Sequence, residues 1–238
     1  MAPTEAASPE SVRRALDYPY EIPRCSYVFD PKTGDAQPLP APLPDVVWGD
    51  DRTPVLAVGS NAAPEQLARK FGDRTEDLGP VFAVLARIRD RDVVYAARLS
   101  SYGAVPEMLV ESPGTSVDLH ITFLTPRQRE LMDRSEGPGY VLHAIPADLV
   151  DAGTPLRDEL VTYAAVAGPL RVDDAPIALA AVQARARRFR EWDQAGVLEH
   201  VADRCGLAMP IWLGRVLTDR DYLQEMRDVL PSWSTSAE

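Results

Sequence analysis

The sequence predicts an α+β protein, with a proline-rich extended arm at residues 1–50 and helices from about residue 176 to the C-terminus. Three observations predict it. The apolar run Val55-Leu56-Ala57-Val58 passes through Gly59-Ser60-Asn61 into a helical pattern. Residues 115–124 alternate apolar and polar side chains. From Pro176 onward the spacing of apolar residues turns helical. Residues 51–238 read as a single domain.

The arm comes first. Nine of the 22 prolines fall within residues 1–50, including Pro38, Pro40, Pro42 and Pro44. Alternating proline excludes helix and central strand and favours extended backbone. Residues 17–29 carry four aromatic side chains, which predicts an arm lying on the core and not a free tail.

The core elements follow in order. Residues 55–58 read as a short buried strand stopped by Gly59. The next helix has Asn61 as a candidate cap and Pro64 and Glu65 in its first turn. Leu67, Ala68 and Phe71 form one face before Gly72 ends it. Residues 81–88 and 93–97 read as two strands around a charged turn, RDRD. In 115–124, Val117, Leu119, Ile121 and Phe123 face one way and Asp118, His120 and Thr122 the other, a half-buried strand. Thr125-Pro126 opens a helix with Leu131 and Met132 apolar, broken by Gly137-Pro138-Gly139. Residues 140–145 and 161–166 read as further strands. Residues 177–205 and 217–230 read as helices, with Phe189, Trp192 and Trp212 as core or interface residues.

Composition narrows the function classes. The 238 residues are 45% hydrophobic and 26% charged, enough for a packed core. The net charge of -11 would repel a phosphate backbone, so no nucleic-acid partner is expected. The Arg185, Arg187, Arg188, Arg190 cluster reads as a solvated face. No apolar run approaches the length of a membrane span, and the first residues lack a secretory pattern. No membrane partner and a cytoplasmic location are therefore expected. Cys25 and Cys205 suit a reducing compartment, with one bridge between them left open. Three histidines without CxxC or HExxH give a metal site little support. Self-association into a homo-oligomer is left open.

Two short segments carry candidate chemistry. A strand entering a helix through Val58-Gly59-Ser60-Asn61 points backbone N–H groups at one spot, where they and the helix dipole suit an anion such as a carboxylate. An ordinary strand–helix turn has the same pattern. Glu136 sits where a helix runs out, just before Tyr140. The negative end of the helix dipole disfavours its charged form, which suits general acid–base work. An isolated glutamate is otherwise most often a solvated surface residue. Ser60 lies in A-V-G-S-N-A, which is not a nucleophile elbow, and Cys205 reads as a packed helix residue.

Together these segments resemble the gamma-glutamylcyclotransferase-like family. That family shows a YGSN-type turn after its first strand and later a helix ending in L-D-x-x-E-G, followed by a tyrosine. Val58-Gly59-Ser60-Asn61 matches three of four turn positions. Met132-Asp133-Arg134-Ser135-Glu136-Gly137 matches the second motif with Met for Leu, and Tyr140 follows. Ser112-Pro113-Gly114 and Val117 resemble the segment between. The resemblance spans about residues 54–166, with a fainter echo near 198–217.

The resemblance implies a compact mixed β-barrel flanked by helices. It also implies a reaction. The α-amine of a small-molecule gamma-glutamyl substrate attacks its own side-chain carbonyl, giving 5-oxoproline and a free amine. No metal or organic cofactor is implied, because both reacting groups share one molecule and the protein holds a bent conformer. Glu136 is the implied catalytic proton shuttle. Val58, Gly59, Ser60, Asn61 and Tyr140 are the implied substrate-binding residues. The chain departs from the pattern at Val58, where the family has Tyr, and at Pro106-Glu107-Met108-Leu109, which is bulkier and more acidic. A Glu107 facing the pocket would repel an anionic substrate or select a cationic one. The alternatives are a catalytically inactive member that binds a small ligand or a protein, and an unrelated hydrolase or lyase built on Glu136 or Ser60. An exposed apolar face on 177–201 would favour protein binding.

Overall fold

A computed structural model describes residues 6–49, 51–72, 76–136, 139–153, 156 and 158–234. In chain order the elements are α1 (Pro9–Leu16), β1 (Tyr27–Phe29), β2 (Ala36–Pro38), β3 (Thr53–Ala57), α2 (Pro64–Phe71), β4 (Val81–Tyr95) and β5 (Glu107–Leu124). Then come α3 (Pro126–Glu136), β6 (Tyr140–Ala144), β7 (Val150–Asp151), β8 (Val161–Ala165), β9 (Arg171–Val172), β10 (Ala175–Leu179), β11 (Ala184–Arg185) and β12 (Arg190–Trp192). Three α-helices follow among the described residues, α4 (Gln194–Arg204), α5 (Met209–Thr218) and α6 (Arg220–Val229).

The main sheet runs β12-β10-β4-β5-β3-β8-β6, with β1 and β7 also on β4 and β11 on β5. Most neighbours are antiparallel, while β3 and β8, and β10 and β12, run parallel. The α+β class therefore stands. The path ends on β12 and β6, which do not pair with each other among the described residues, so the expected closure into a barrel is not seen.

The central strands β3, β4 and β5 are buried on both faces over much of their length, successive residues pointing opposite ways into two clusters. Leu56, Val84, Leu119 and Ile121 join one cluster with α4, α5 and α6. Val55, Ala83 and Leu124 join a second with Tyr27, Phe29, Leu67, Phe71, Leu131 and Met132. Residues 115–124 were expected to be half-buried. Val117, Leu119, Ile121 and Phe123 are buried as expected, and so are His120 and Thr122 on the other face. His120 Nε2 lies 3.0 Å from the Cys25 carbonyl, and Thr122 donates to the Val55 carbonyl. The N-terminal segment supplies this cover: Tyr27 and Phe29 are buried, the Tyr27 ring stands edge-on to His120, and β1 pairs with β4, while Tyr18 and Tyr20 are buried in a separate small cluster with Ala63 and Ala104. That segment is not wholly extended, since α1 lies within it, with Ser8 capping the helix from its side chain.

Two further expectations are overturned. RDRD is no turn. β4 continues through it as one strand paired with β5, with a register irregularity between Arg89 and Arg91. Asp90 takes φ 55° there and accepts from the Gly114 N–H at 2.7 Å. Asp92 is buried against Arg187, while Arg89 and Asp90 stay exposed without the chain turning.

The helix expected from 177 begins only at Gln194. Residues 175–192 form β10, β11 and β12. Ile177, Ala178 and Leu179 are fully buried, and a short apolar run buried on both faces has no period that separates strand from helix. The apolar side chains of α4, Val197, Leu198, Val201 and Ala202, are buried in the core, so they offer no exposed face to a partner. Trp212 is core, as expected. Cys25 and Cys205 are both free thiols.

Candidate active site

The site begins where β3 ends. Val58 and Gly59 lead into a single turn of 3-10 helix, Ser60–Ala62, and then into α2. Asn61 does not cap that helix. Ala63 holds the cap position without a side-chain bond, and the Asn61 side chain turns to α3 instead.

There the Asn61 Nδ2 donates to Glu136 Oε1 at 2.9 Å. Lys70, on the last turn of α2, reaches the same oxygen at 2.5 Å. Its Nζ also lies 3.2 Å from Met132 Sδ. The Lys70 and Glu136 side chains are only 9% and 10% exposed, so this is a buried ion pair and not a surface one. Burial lowers the Lys70 pKa, and the Glu136 carboxylate opposes that shift.

These groups face a cavity of about 570 Å³, lined also by Val58, Ser60 and Tyr140. Tyr140 opens β6, and the Arg98 guanidinium stacks 4.5 Å from its ring centre. Arg98 Nη1 donates to the Gly139 carbonyl at 3.0 Å. Burial raises the Tyr140 pKa, with the Glu107 and Glu136 charges adding to it and Arg98 opposing it. Gly137 and Pro138, expected to break the helix after Glu136, lie outside the described residues.

Glu107, the first residue of β5, enters the same cavity and lies against the turn. A Cβ on Gly59 would fall 2.2 Å from the Glu107 Cδ, so only glycine lets the carboxyl approach this closely. The Glu107 backbone N–H donates to the Tyr18 hydroxyl at 3.4 Å. Desolvation pushes the Glu107 carboxyl up to about 7; its own N–H and that of Ser60 pull the other way, and the Glu136 charge adds to the rise. Its Oε2 is buried with no hydrogen-bond partner among the described residues.

The structure thus brings together Val58, Ser60, Asn61, Glu136 and Tyr140, with Gly59 just behind Glu107. Sequence reasoning missed Lys70 and Arg98. Lys70 lies beside the apolar face formed by Leu67 and Phe71, and the rarity of lysine, with Lys32 the only other, was a faint signal. Nothing in the spacing marked Arg98. What the arrangement offers is two carboxyl groups in unlike settings. One is held by an ammonium and an amide, the other is desolvated, and two cationic side chains stand nearby.

No protein-family model and no curated protein matches the chain. Solved structures are similar over about half of it. One is the uncharacterized protein loc79017 from Homo sapiens, 18% identical over 49% of this chain and 68% of that one, with a TM-score of 0.38. Another is At5g39720.1 from Arabidopsis thaliana, 19% identical over 49% and 70%, with a TM-score of 0.35. A third is titled gamma-glutamyl cyclotransferase, 17% identical over 48% and 67%, with a TM-score of 0.37.

Proposed function

We propose that this protein is a gamma-glutamylcyclotransferase-like enzyme that releases 5-oxoproline and an amine from a gamma-glutamyl compound. One observation carries the reading. Asn61 of the turn after β3 holds the carboxylate of Glu136 at the end of α3, and both face one cavity with Tyr140. A solvated surface glutamate would not be gripped in this way.

The chemistry follows from that grip. Both the Asn61 and Lys70 bonds fall on Oε1, and we assign Oε2 to the substrate. The α-ammonium of the gamma-glutamyl unit gives a proton to Glu136. The freed nitrogen attacks the γ-carbonyl carbon, a five-membered ring closes, and the C–N bond to the amine breaks as Glu136 returns a proton to the departing amine. The Ser60 N–H already faces Glu107, so the turn is not the natural place for the substrate carboxylate. Arg98, in the same cavity, is the guanidinium suited to it. The reading includes a cytoplasmic setting, which the two free thiols suit.

A second reading is a small-ligand-binding protein without turnover. The observation that favours it is the pairing of Lys70 with Glu136, which competes for the same carboxylate. Measuring 5-oxoproline release from a panel of gamma-glutamyl compounds separates the two. The wild type is expected to release it, and Glu136→Gln to be slower by about 10²–10⁴-fold, the usual worth of a general acid–base group. A folded wild type that releases none from any compound overturns the enzyme reading.

A further inference from the structure

We propose that Glu107 is a second proton-carrying carboxyl of this cavity, working in the opposite protonation state to Glu136. The inference rests on the cyclisation reading above and adds a catalytic residue to it.

The reaction moves two protons. An α-ammonium and an amide N–H become a lactam N–H and a released ammonium, so two protons leave one nitrogen and two arrive at another. One carboxylate can take only the first, and must give it up before it takes the next. A pair with one member ionised and one protonated completes the exchange in a closed cycle. Glu136 takes a proton from the α-ammonium, and the neutral nitrogen attacks the γ-carbonyl carbon. The carbonyl π electrons move to oxygen. They return as the C–N bond to the amine breaks, while Glu107 gives its proton to the departing nitrogen. The ring nitrogen then passes its remaining extra proton to Glu107, and Glu136 gives its proton to the free amine, which leaves as an ammonium. Both carboxyls end as they began.

The geometry supports those two states. Glu136 carries an ammonium at 2.5 Å and an amide at 2.9 Å on one oxygen, the setting of a carboxylate. Glu107 lies against Gly59, with Oε2 buried and unpartnered among the described residues, a setting that disfavours charge. Unlike environments for two carboxyls in one cavity mark an acid and a base. The charged and titratable groups facing Glu107 across this cavity are Glu136 from α3, Lys70 from α2 and Tyr140 from β6. Arg98 and Tyr102 face it from the segment between β4 and β5, Tyr163 from β8, Tyr18 from the N-terminal segment and Arg227 from α6. Desolvation is the main cause of the raised Glu107 value, and the Glu136 charge adds to it.

The test is the pH profile of kcat/KM for 5-oxoproline release, measured on the best gamma-glutamyl compound of the panel for the wild type and Glu107→Gln. Gln keeps an oxygen for the Ser60 N–H but has no acidic proton to give. The wild-type rate is expected to fall as pH rises through about 7, where Glu107 loses its proton. In Glu107→Gln the rate is expected to drop about 10²-fold below pH 7 and to lose that limb. A Glu107→Gln enzyme with the wild-type rate and profile overturns the inference and leaves the cyclisation reading standing. A wild-type profile flat from pH 6 to 8 overturns it without any variant. No release by the wild type from any compound overturns both together.

Discussion

At the residue scale the oddest group is Glu107. A carboxyl is pressed against a backbone turn with its Oε2 unpartnered among the described residues, and burial moves it from 4.5 up to about 7. A raised carboxyl value means that the folded protein binds the proton more tightly than the unfolded chain does. Between about pH 4.5 and 7 the folded state holds more protons, so stability falls as pH rises through that window and stays lower above it. The whole difference corresponds to about 3 kcal/mol between the two protonation states. Glu107→Gln removes the titration. Its stability relative to wild type is expected to be higher at pH 8 than at pH 5. Urea unfolding of both proteins at the two pH values checks this, and a difference that is the same at both would contradict it. The acidity of Glu107 was visible in the sequence, and so was its consequence if it faced the pocket. Its burial was not, because that depends on Gly59 standing opposite it across 48 residues of chain.

At the element scale, what brings Glu136 to Asn61 is the seating of α3 against α2 and the start of β4. Its first turn is fixed by Gln128, a fully buried side chain. The Gln128 Oε1 accepts from the Thr125 N–H, and its Nε2 donates to the carbonyls of Leu78, Gly79 and Pro80. Gln128→Leu fills a similar volume but strips these groups of their partner. Leaving buried backbone groups unsatisfied costs about 1–3 kcal/mol, so the urea midpoint is expected to fall with an unchanged m-value. An unchanged midpoint would mean that the α3 entry is held by packing alone. Elements with a clear period were legible: α2, α3 and the 115–124 part of β5 lie where alternation, proline and glycine predict them, while β5 begins earlier, at Glu107. The segment 175–192 was not, since its apolar stretch Ile177-Ala178-Leu179 is buried on both faces and carries no period. The unbroken β4 was hidden for a different reason. Its charges at Arg87 and Asp92 are satisfied by Asp118 and Arg187, partners that only the folded chain provides.

At the scale of the whole molecule the cavity draws on both ends of the chain, from Tyr18 near the N-terminus to Arg227 on α6. Something must therefore hold the late strands to the central hairpin, and Arg187 does so. Its Nε lies 3.0 and 3.2 Å from the two oxygens of Asp92 on β4. Its Nη1 and Nη2 donate to the carbonyls of Leu179 and Val182. Asp92 is 0% exposed and the Arg187 side chain 6%. A surface pair of this kind would add little, but a buried pair is asymmetric: removing one partner leaves an uncompensated charge in the core, whereas removing both does not. Arg187→Met is accordingly expected to cost about 3–5 kcal/mol, and Asp92→Leu with Arg187→Met to recover much of that loss. Chemical denaturation of the wild type, the two single variants and the double variant gives the coupling between the sites directly. A double variant whose loss equals the sum of the single ones would show that the two side chains act independently, and that the strands from 175 to 192 are held to β4 by their apolar contacts.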